Sequence, residues 1–216
     1  MREKKHFYIF GSGISFSISP TIHNTAFHYH NLPYAYSIRE SPSIDDVRHL
    51  IASTKFGAAS VTLPHKLQAH KICTSQTETA RAIGAINTLT VQSTGIERRI
   101  IGDNTDWTGL HAIITTYSVQ TAHQPSAGLV IGAGGASRAA VFAMHKSGVR
   151  DIYLVNRTSR TAEKVRDDFQ ALFEVTVVPE LADLPRAPEV IISTVPAETT
   201  TEEQFAFLFS GSGFVY

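Results

Sequence analysis

The sequence is poor in cysteine and has no long apolar segment. Its one cysteine, Cys73, excludes an intrachain disulfide, and we expect a reducing, cytoplasmic setting. No apolar run approaches the length that spans a bilayer. The apolar stretch at 7–10, which follows a charged N-terminus, is too short for the core of a signal peptide. The composition therefore excludes disulfide-rich and membrane-spanning classes of protein.

The sequence also has no excess of charge of either sign, because 19 basic residues balance 19 acidic ones. A balance of this kind gives no reason to expect binding to nucleic acid or to an anionic membrane. The ten histidines are scattered, with no third ligand at a convincing spacing, so no metal site is expected. The composition therefore gives no reason to expect nucleic acid, a membrane surface or a metal ion as a partner.

The order of predicted strands and helices changes along the chain. The first half mixes short strands, helices and a hairpin, whereas the second half alternates strand and helix, as a parallel, doubly wound sheet does. A polar segment without periodicity, 118–126, lies between them. The sequence therefore predicts an α/β fold with two domains, an N-terminal α/β domain at 1–116 and a Rossmann-type domain at 117–216.

Local signals predict several element boundaries. Ser19 is expected at the N-cap of the first helix, with Pro20 at its first helical position. A later helix is expected at 107–117. Ser43 is expected to cap a second helix, and that helix has an apolar stripe consisting of Ile44, Val47, Leu50 and Ile51.

A glycine-rich loop lies between a predicted buried strand at 129–131 and a predicted helix. Glycines there allow a tight turn and let backbone N–H groups approach a pyrophosphate, and the helix N-terminus adds partial positive charge. An ordinary strand–helix turn is the alternative, because serine replaces the third glycine of the usual pattern. We interpret the loop as a dinucleotide site formed by Gly132, Ala133, Gly134, Gly135, Ala136 and Ser137.

The residues after the next predicted strand indicate which dinucleotide is bound. An NAD enzyme usually places Asp or Glu there, about twenty residues beyond the loop, to hold the ribose 2′-hydroxyl. This sequence has Asn156, Arg157, Thr158 and Arg160 instead. Guanidinium groups bind a 2′-phosphate that a carboxylate would repel. Although a solvated polar loop is the alternative, the sequence predicts NADP as the cofactor.

Four fragments of the first half place polar groups at expected strand ends or loops, where functional side chains concentrate in α/β sheets. Together they offer hydroxyl, amide, ammonium and carboxylate groups, which suit a polyhydroxylated carboxylate ligand. The fragments are Ser-Ile-Ser-Pro at 17–20, Ser-Val-Thr-Leu-Pro-His-Lys at 60–66, Gly-Ala-Ile-Asn-Thr at 84–88 and Gly-Asp-Asn-Thr-Asp at 102–106.

Taken in order with the glycine-rich loop and Asn-Arg-Thr at 156–158, these fragments resemble the motifs of the shikimate dehydrogenase family, which includes quinate dehydrogenases. The resemblance covers residues 10–216. Trp107 after Asp106 is similar to the fungal members, which occur as a domain of a large multifunctional shikimate-pathway protein and in a quinate-responsive repressor. The resemblance implies NADP-dependent, reversible reduction of 3-dehydroshikimate to shikimate. Quinate dehydrogenase and a non-catalytic metabolite sensor are the alternatives.

The resemblance also implies a role for each matched residue. Lys66 and Asp106 would form the catalytic pair, although outside the matched motifs Lys66 is more typical of a solvated surface lysine and Asp106 of a helix N-cap. Interconverting an alcohol and a ketone needs hydride transfer and movement of a proton, and a lysine beside a carboxylate can orient the hydroxyl. Thr194 is implied near the nicotinamide. Ser17 and Ser19 would bind the substrate carboxylate. The ring hydroxyls would be bound by Thr62, Asn87 and Asp106.

The sequence departs from the family's pattern in four places. Ser60 stands where many members have asparagine, and His65 where an apolar or aromatic residue is common. Arg160 lies one position earlier than the usual arginine. The sequence stops at 214–216, which resembles the start of the last core strand, whereas members continue into a helix that supplies a substrate-binding glutamine. We therefore expect a C-terminally truncated chain: a fragment, the product of a wrongly assigned gene end, or a degenerate paralogue.

Overall fold

The computed structural model describes residues 3–94, 97–195 and 214–215. The chain divides into two compact units, Met1–Thr105 and Asp106–Tyr216. This division lies eleven residues before the boundary predicted from the sequence, which falls between residues 116 and 117. Each unit combines a sheet with helices, and the predicted α/β fold class is confirmed.

The first unit is built on a six-stranded mixed sheet. Its strands are β1 (Lys5–Gly11), β2 (Tyr34–Glu40), β3 (Phe56–Val61), β4 (Ser75–Gln76), β5 (Thr88–Thr94) and β6 (Glu97–Asp103), and its helices are α1 (Ser19–Tyr29), α2 (Arg48–Ala52) and α3 (Glu78–Ile83). The strand order is β2-β1-β3-β5-β6-β4. Strand β5 runs antiparallel to β3 and β6, while the other neighbours are parallel.

The core of the first unit lies against one face of this sheet. Phe10 of β1, Phe56 of β3 and Leu89 of β5 are almost completely buried in it. The predicted apolar stripe also contributes, because Ile44, Val47 and Ile51 are buried and Leu50 packs against them. The stripe is formed by two elements rather than one helix, a 3₁₀ helix at Ile44–Val47 followed by α2. Ser43 caps the first of them, as predicted, and accepts a hydrogen bond from Asp45 N–H at 3.2 Å.

The second unit is a five-stranded sheet with the order β11-β10-β7-β8-β9, in which all neighbours are parallel. Its strands are β7 (Ala127–Ile131), β8 (Asp151–Val155), β9 (Thr176–Val177), β10 (Val190–Ser193) and β11 (Phe214–Val215), and its helices are α4 (Asp106–Thr121), α5 (Gly135–Lys146) and α6 (Ser159–Phe169). The order reverses beside β7, as in a doubly wound Rossmann-type sheet. The pairing of β11 with β10 confirms the strand predicted near the end of the sequence.

Two predicted helix ends are wrong. Helix α1 has Ile18 rather than Ser19 at its N-cap, without a side-chain capping bond, so Ser19 is already its first residue. Helix α4 continues to Thr121, through part of the segment predicted to be irregular. The hydroxyl groups of this last part find acceptors within the helix: Ser118 donates to the Ile114 carbonyl at 2.9 Å and Thr121 to the Tyr117 carbonyl at 2.8 Å.

Helix α4 explains the shifted division between the units. It packs against α5, and Trp107 meets Phe142 edge to face, with 5.3 Å between ring centroids. His111 of α4 also lies 2.8 Å from the Ser147 hydroxyl at the end of α5. Because α5 is buried along residues 137–144, α4 is part of the covering layer of the second unit. The apolar pattern of 107–117 showed a helix but not the sheet that it covers.

A carboxylate joins the starts of β7 and β10. Glu189 accepts hydrogen bonds from the Ser126 hydroxyl at 2.6 Å and the Ser126 N–H at 3.2 Å, and it also pairs with His123. These bonds, that from the Ser126 side chain above all, lower the pKa of Glu189 from 4.5 to about 2 against the opposing effect of burial. The ionised form is therefore the one that the fold stabilises.

Replacing Glu189 by glutamine should lower the free energy of unfolding at neutral pH by about 1 kcal/mol, less than the pKa shift alone implies because the side chain is 32% exposed. Because the pKa of Glu189 is lower in the folded state, its ionised form stabilises the folded protein fully at pH values above the unfolded-state pKa of 4.5. This stabilisation is lost as the pH falls toward 2. Urea denaturation at several pH values should show wild type and variant converging over this range. The exposed Glu163 on α6, changed to glutamine, is the control. A constant difference across the range would contradict the assignment.

Candidate functional site

The polar fragments of the first unit lie at one end of its sheet. This end holds the carboxyl ends of β1, β3 and β6 and the amino end of the antiparallel β5, because Ser60 pairs with Thr88 and Thr88 with Asp103. The residues predicted to bind substrate, together with the predicted catalytic Lys66, lie in the segments that follow or precede these strand ends. They form what we term the polar edge: Ser17 and Ser19 after β1, Thr62 and Lys66 after β3, and Asn87 before β5.

The turn after β3 is anchored at both of its ends. The Thr62 N–H donates to the Phe10 carbonyl of β1 at 2.9 Å, and the Thr62 carbonyl accepts from the His65 N–H at 2.8 Å. Lys66 lies on the short 3₁₀ helix His65–Leu67, and its carbonyl accepts from the Ile86 N–H at 2.9 Å. The backbone that carries the Lys66 ammonium is thus fixed to the segment just before Asn87.

His65, a departure from the family's pattern, has a structural contact in this turn. Its ring is 2% exposed, and Nε2 lies 3.0 Å from the carbonyl oxygen of Ser41. A carbonyl only accepts, so Nε2 carries a proton and donates it. The contact ties the turn that carries Lys66 to the loop after β2. Sequence reasoning missed this role because nothing in the local pattern pairs residues 41 and 65.

Asn87 organises the opposite side of the polar edge. Its Oδ1 accepts hydrogen bonds from the Thr105 N–H at 2.9 Å and the Thr88 hydroxyl at 2.7 Å, and its Nδ2 donates to the Thr105 hydroxyl at 3.0 Å. Asn87 therefore fixes the residue that immediately precedes Asp106 in the chain. Thr105 was not among the predicted site residues, although it belongs to the Gly-x-Asn-Thr-Asp fragment.

Asp106 itself is the first residue of α4 and of the second unit. A carboxylate in the first turn of a helix interacts favourably with the positive end of the helix dipole. Asp106 is thus the first helical residue, one position after the N-cap that the alternative interpretation gave it. The catalytic role of Asp106, and that of Lys66, stay predictions.

The serines after β1 contact each other, and a buried tyrosine contacts Ser60 of β3. Ser17 Oγ lies 3.2 Å from Ser19 Oγ and accepts a hydrogen bond from the Ser19 N–H at 3.3 Å. Tyr36 of β2 is 5% exposed, and its hydroxyl donates a hydrogen bond to Ser60 Oγ at 2.9 Å. Burial raises the pKa of Tyr36 above its ordinary value of 10. Nothing in the local sequence pattern indicates this contact.

The glycine-rich loop of the second unit has the predicted strand-loop-helix setting. Gly132 follows β7 with a φ of +106°, and a Cβ there would lie 2.5 Å from Thr194 Oγ1. Gly134 stands at the N-cap of α5. Only glycine combines this backbone conformation at position 132 with so close an approach. The loop therefore needs its first glycine for its own folding, before any ligand is considered.

Ser137 and Thr194 hold the loop in place. Ser137 is fully buried, and its hydroxyl accepts from the Gly134 N–H at 3.0 Å and lies 2.6 Å from Thr194 Oγ1. Thr194 in turn donates to the Ile131 carbonyl at 2.9 Å. Both were predicted to contact the cofactor, and the contacts that the structure gives them are within the loop. Ala133, Gly135 and Ala136 occupy the loop and the first turn of α5 as expected.

The segment after β8 exposes two guanidinium groups. Arg157 and Arg160 are exposed, and neither makes a hydrogen bond or ion pair with another residue in the part of the chain that the structure describes. Asn156 donates to the Thr158 carbonyl at 3.0 Å and so shapes the turn into α6. Arg138, by contrast, is buried and pairs with Asp168, so it joins α5 to α6. The two exposed arginines are the groups available to an anionic ligand.

The described residues contain neither a metal cluster nor a membrane-spanning helix. Within residues 3–94, 97–195 and 214–215, no group of three His, Cys, Asp or Glu side chains is placed to hold a metal ion. None of the helices described there has the length and apolar character needed to cross a bilayer. The cytoplasmic setting expected from the cysteine content stays a prediction.

A parallel sheet whose first strand leads through a glycine loop into a buried helix defines the Rossmann-type class of dinucleotide-binding folds. Residues 9–89 match the shikimate dehydrogenase substrate binding domain, and residues 117–206 match the shikimate/quinate 5-dehydrogenase domain. The chain belongs to the shikimate dehydrogenase family, as the sequence motifs indicated.

Similar proteins include fungal multifunctional polypeptides. The pentafunctional AROM polypeptide of Mycosarcoma maydis is 40% identical over 210 residues, and that of Schizosaccharomyces japonicus 38% over 205. These matches cover 92% of this chain but only 12% and 13% of the relatives. The chain thus spans about an eighth of the length of these relatives.

Solved structures agree with this assignment. The dehydroquinate dehydratase and shikimate dehydrogenase of S. pombe AroM superposes with a TM-score of 0.73 at 33% identity, covering 96% of this chain and 40% of that one. Shikimate 5-dehydrogenase from Thermus thermophilus, in complex with NADP(H) and shikimate, superposes with a TM-score of 0.66 at 26% identity, covering 88% and 68%.

Proposed function

We propose that the chain catalyses the NADP-dependent, reversible reduction of 3-dehydroshikimate to shikimate, with the substrate on the first unit and the cofactor on the second. The observation that carries this proposal is the polar edge, where four residues predicted to bind substrate and the predicted catalytic Lys66 come from separate parts of the sequence. Hydroxyl, amide and ammonium groups there match the carboxylate and hydroxyls of such a ring. The relative from Thermus thermophilus, with NADP(H) and shikimate bound, supports the same pairing of ligands.

Lys66 and Asp106 would act on the oxygen that changes between alcohol and ketone. The Lys66 ammonium donates a hydrogen bond to this oxygen and stabilises the negative charge that develops on it. Asp106 accepts a hydrogen bond from the hydroxyl and holds it in place, and together the two groups keep a proton available at that oxygen. The bound nicotinamide supplies or accepts the hydride.

The remaining residues bind and orient the ring. Ser17 and Ser19 would donate hydroxyl hydrogen bonds to the substrate carboxylate. Thr62 and Asn87 would contact the ring hydroxyls, and the anchored turns that carry them keep the positions fixed. Small errors in placing the reacting atoms are costly in rate, so rigid attachment of these side chains to strand ends serves catalysis.

The second unit fits a dinucleotide that carries a 2′-phosphate. The conformation of Gly132 brings the loop backbone close to α5 without a side chain in the way. Gly132, Ala133, Gly134, Gly135 and Ala136 would face the pyrophosphate, Thr194 the nicotinamide end, and Asn156, Arg157, Thr158 and Arg160 the adenosine ribose and its 2′-phosphate. Two exposed guanidinium groups without a described partner are suited to bind that phosphate.

The direct test measures NADPH formation by the purified chain with shikimate and, separately, with quinate. We expect NADPH to form when shikimate is the substrate. Turnover with quinate but not shikimate would reassign the substrate. Tight binding of either compound without turnover would identify a metabolite sensor, and neither binding nor turnover would contradict the proposal.

Charge reversal at Arg157 should weaken the preference for NADP(H) over NAD(H). Arg157→Glu should weaken NADP(H) binding by about 1–3 kcal/mol and leave NAD(H) binding nearly unchanged, because only the phosphate needs the guanidinium. Fluorescence titration with both cofactors measures this. Arg150→Glu, the same change at an exposed position before the amino end of β8, should affect the two cofactors equally. Equal losses for both cofactors in Arg157→Glu would contradict the predicted NADP specificity.

A further inference from the structure

Basic side chains also line a cavity beside the polar edge, which we term the basic cavity and which has a volume of about 250 Å³. It lies between the two 3₁₀ helices that follow β3 and the segment 76–86. Its polar side chains are Lys66, His70, Gln76 and Arg81, and the other described residues that line it are apolar or glycine. Because no acidic side chain is among these lining residues, the charge of the cavity favours a negatively charged ligand.

Hydrogen bonds fix the two walls of the basic cavity relative to each other. The Ile86 N–H donates to the Lys66 carbonyl at 2.9 Å, so the residues after α3 are attached to the 3₁₀ helix that carries Lys66. Thr77 caps α3, and its hydroxyl donates to Asp103 of β6 at 2.7 Å. The backbone positions of Lys66 and Arg81 are therefore held by the sheet and do not depend on a ligand.

Arg81 supplies the guanidinium group of the cavity that is available to a ligand. Arg81 is exposed, and its side chain makes neither a hydrogen bond nor an ion pair within residues 3–94, 97–195 and 214–215. Glu78, the acidic residue of the same helix, is not paired with it there. A guanidinium group binds an oxyanion through several N–H groups at once.

The His70 ring is held at the margin of the same cavity. Its Nδ1 lies 3.0 Å from the Leu67 carbonyl oxygen, and a carbonyl only accepts, so Nδ1 carries a proton and donates it. When Nε2 is protonated as well, the ring adds a further positive charge to the lining.

The volume of the cavity limits the size of its ligand. Pockets for drug-sized ligands have volumes of about 300–1000 Å³, and this cavity, at about 250 Å³, is smaller. A compact oxyanion fits this limit better than a nucleotide does. A phosphate monoester carries a charge of about −1.5 to −2 at pH 7, so it would interact with both Lys66 and Arg81.

We propose that the basic cavity binds a small phosphate-type oxyanion, either free phosphate or the phosphate group of a small monoester. The site belongs to the first unit, whereas Arg157 and Arg160, the groups proposed for the cofactor's 2′-phosphate, belong to the second. Lys66 lines the basic cavity and is also the predicted catalytic ammonium, so an anion bound there should inhibit turnover by attracting that ammonium away from the reacting oxygen. Only this inhibition rests on the proposed function.

Calorimetric titration of the whole chain with inorganic phosphate tests binding without any substrate. Sodium chloride holds the ionic strength constant, because salt screens exposed charges. Wild type should bind phosphate, and Arg81→Gln, which keeps a good helix former, should bind it at least about tenfold more weakly, the effect of losing a charged hydrogen bond. Arg99→Gln, at an exposed arginine near the opposite end of β6, is the matched control and should bind as wild type does.

Two further titrations identify the site and the source of the phosphate group. Arg157→Gln should bind phosphate as wild type does, and a loss in this variant instead of in Arg81→Gln would place the ion at the cofactor site and overturn the proposal. Glycerol 3-phosphate replaces free phosphate in the second titration. Binding of this monoester alone, with the same dependence on Arg81, would support the site with a monoester as its ligand, and binding of neither compound would overturn it.

Inhibition is measured separately, in the assay of shikimate turnover. Phosphate should inhibit wild type, whereas Arg81→Gln should keep wild-type turnover without phosphate and need an at least about tenfold higher phosphate concentration for the same inhibition. Arg81-dependent binding without inhibition would support the site and overturn its effect on Lys66. If wild type turns over neither shikimate nor quinate, the proposed function fails, while phosphate binding that depends on Arg81 still supports the basic cavity.

Discussion

Replacing Lys66 by methionine should lower turnover of shikimate about a hundredfold or more, the range typical of positioned acid–base groups. The change keeps most of the aliphatic chain and removes the ammonium that the proposed mechanism places at the reacting oxygen. Binding of NADP(H) should be unchanged, since the glycine loop belongs to the other unit. Initial rates with saturating NADP, together with fluorescence titration of the cofactor, give both quantities.

Lys71→Met is the matched control for this change. Lys71 is exposed and lies on the next 3₁₀ helix of the same segment, Ala69–Ile72, away from the strand end. It should keep wild-type turnover. If Lys66→Met retained turnover within about threefold of wild type, Lys66 would not be part of the catalytic pair, because a positioned acid–base group contributes far more than that.

Replacing Gly132 by alanine should reduce the free energy of unfolding by about 2–4 kcal/mol and abolish measurable NADP(H) binding. A φ of +106° is strained for alanine, and its Cβ would lie 2.5 Å from Thr194 Oγ1. That oxygen cannot move away freely, because it is bonded both to Ser137 and to the Ile131 carbonyl. Denaturant unfolding and cofactor titration are the two measurements.

Gly134→Ala is the control that separates the backbone strain and close contact expected in Gly132→Ala from the effect of replacing any glycine of the loop. The φ of Gly134 is −91°, and a Cβ there would meet nothing within 4 Å, so this variant should unfold within about 0.5 kcal/mol of wild type. If the two variants were destabilised to a similar extent, the contact with Thr194 would not be the cause of the destabilisation of Gly132→Ala.

The sequence was sufficient to predict what depends on local pattern. The glycine loop, the strand before it and the helix after it follow from residue types within about ten positions of one another, and the structure has all three. The polar fragments were also expected at strand ends, and the register of β3, β5 and β6 brings them to one edge. The family assignment came from the order of these fragments and is confirmed.

The remaining features depend on which elements pack together, and local pattern does not determine that. The contact of Tyr36 with Ser60 requires β1 to lie between β2 and β3, and a strand order cannot be read from the strands singly. Helix α4 was assigned to the wrong side of the division because its apolar residues predicted a helix without identifying its partner, α5. Its polar last turn looked irregular since the bonds of Ser118 and Thr121 to carbonyls one turn back are invisible in composition.

The bond between Ser137 and Thr194 joins residues 57 positions apart, one in the first turn of α5 and the other directly after β10. Any local opening that detaches the end of β10 therefore removes a contact of Ser137, the residue that accepts a hydrogen bond from the Gly134 N–H, and loosens the glycine loop. Thermodynamic linkage makes the relation reciprocal: a ligand that binds only the closed loop suppresses the opening of β10 in proportion to its concentration. Occupancy of the loop would thus be detected as slower backbone exchange in a strand whose end lies 57 residues further along the sequence.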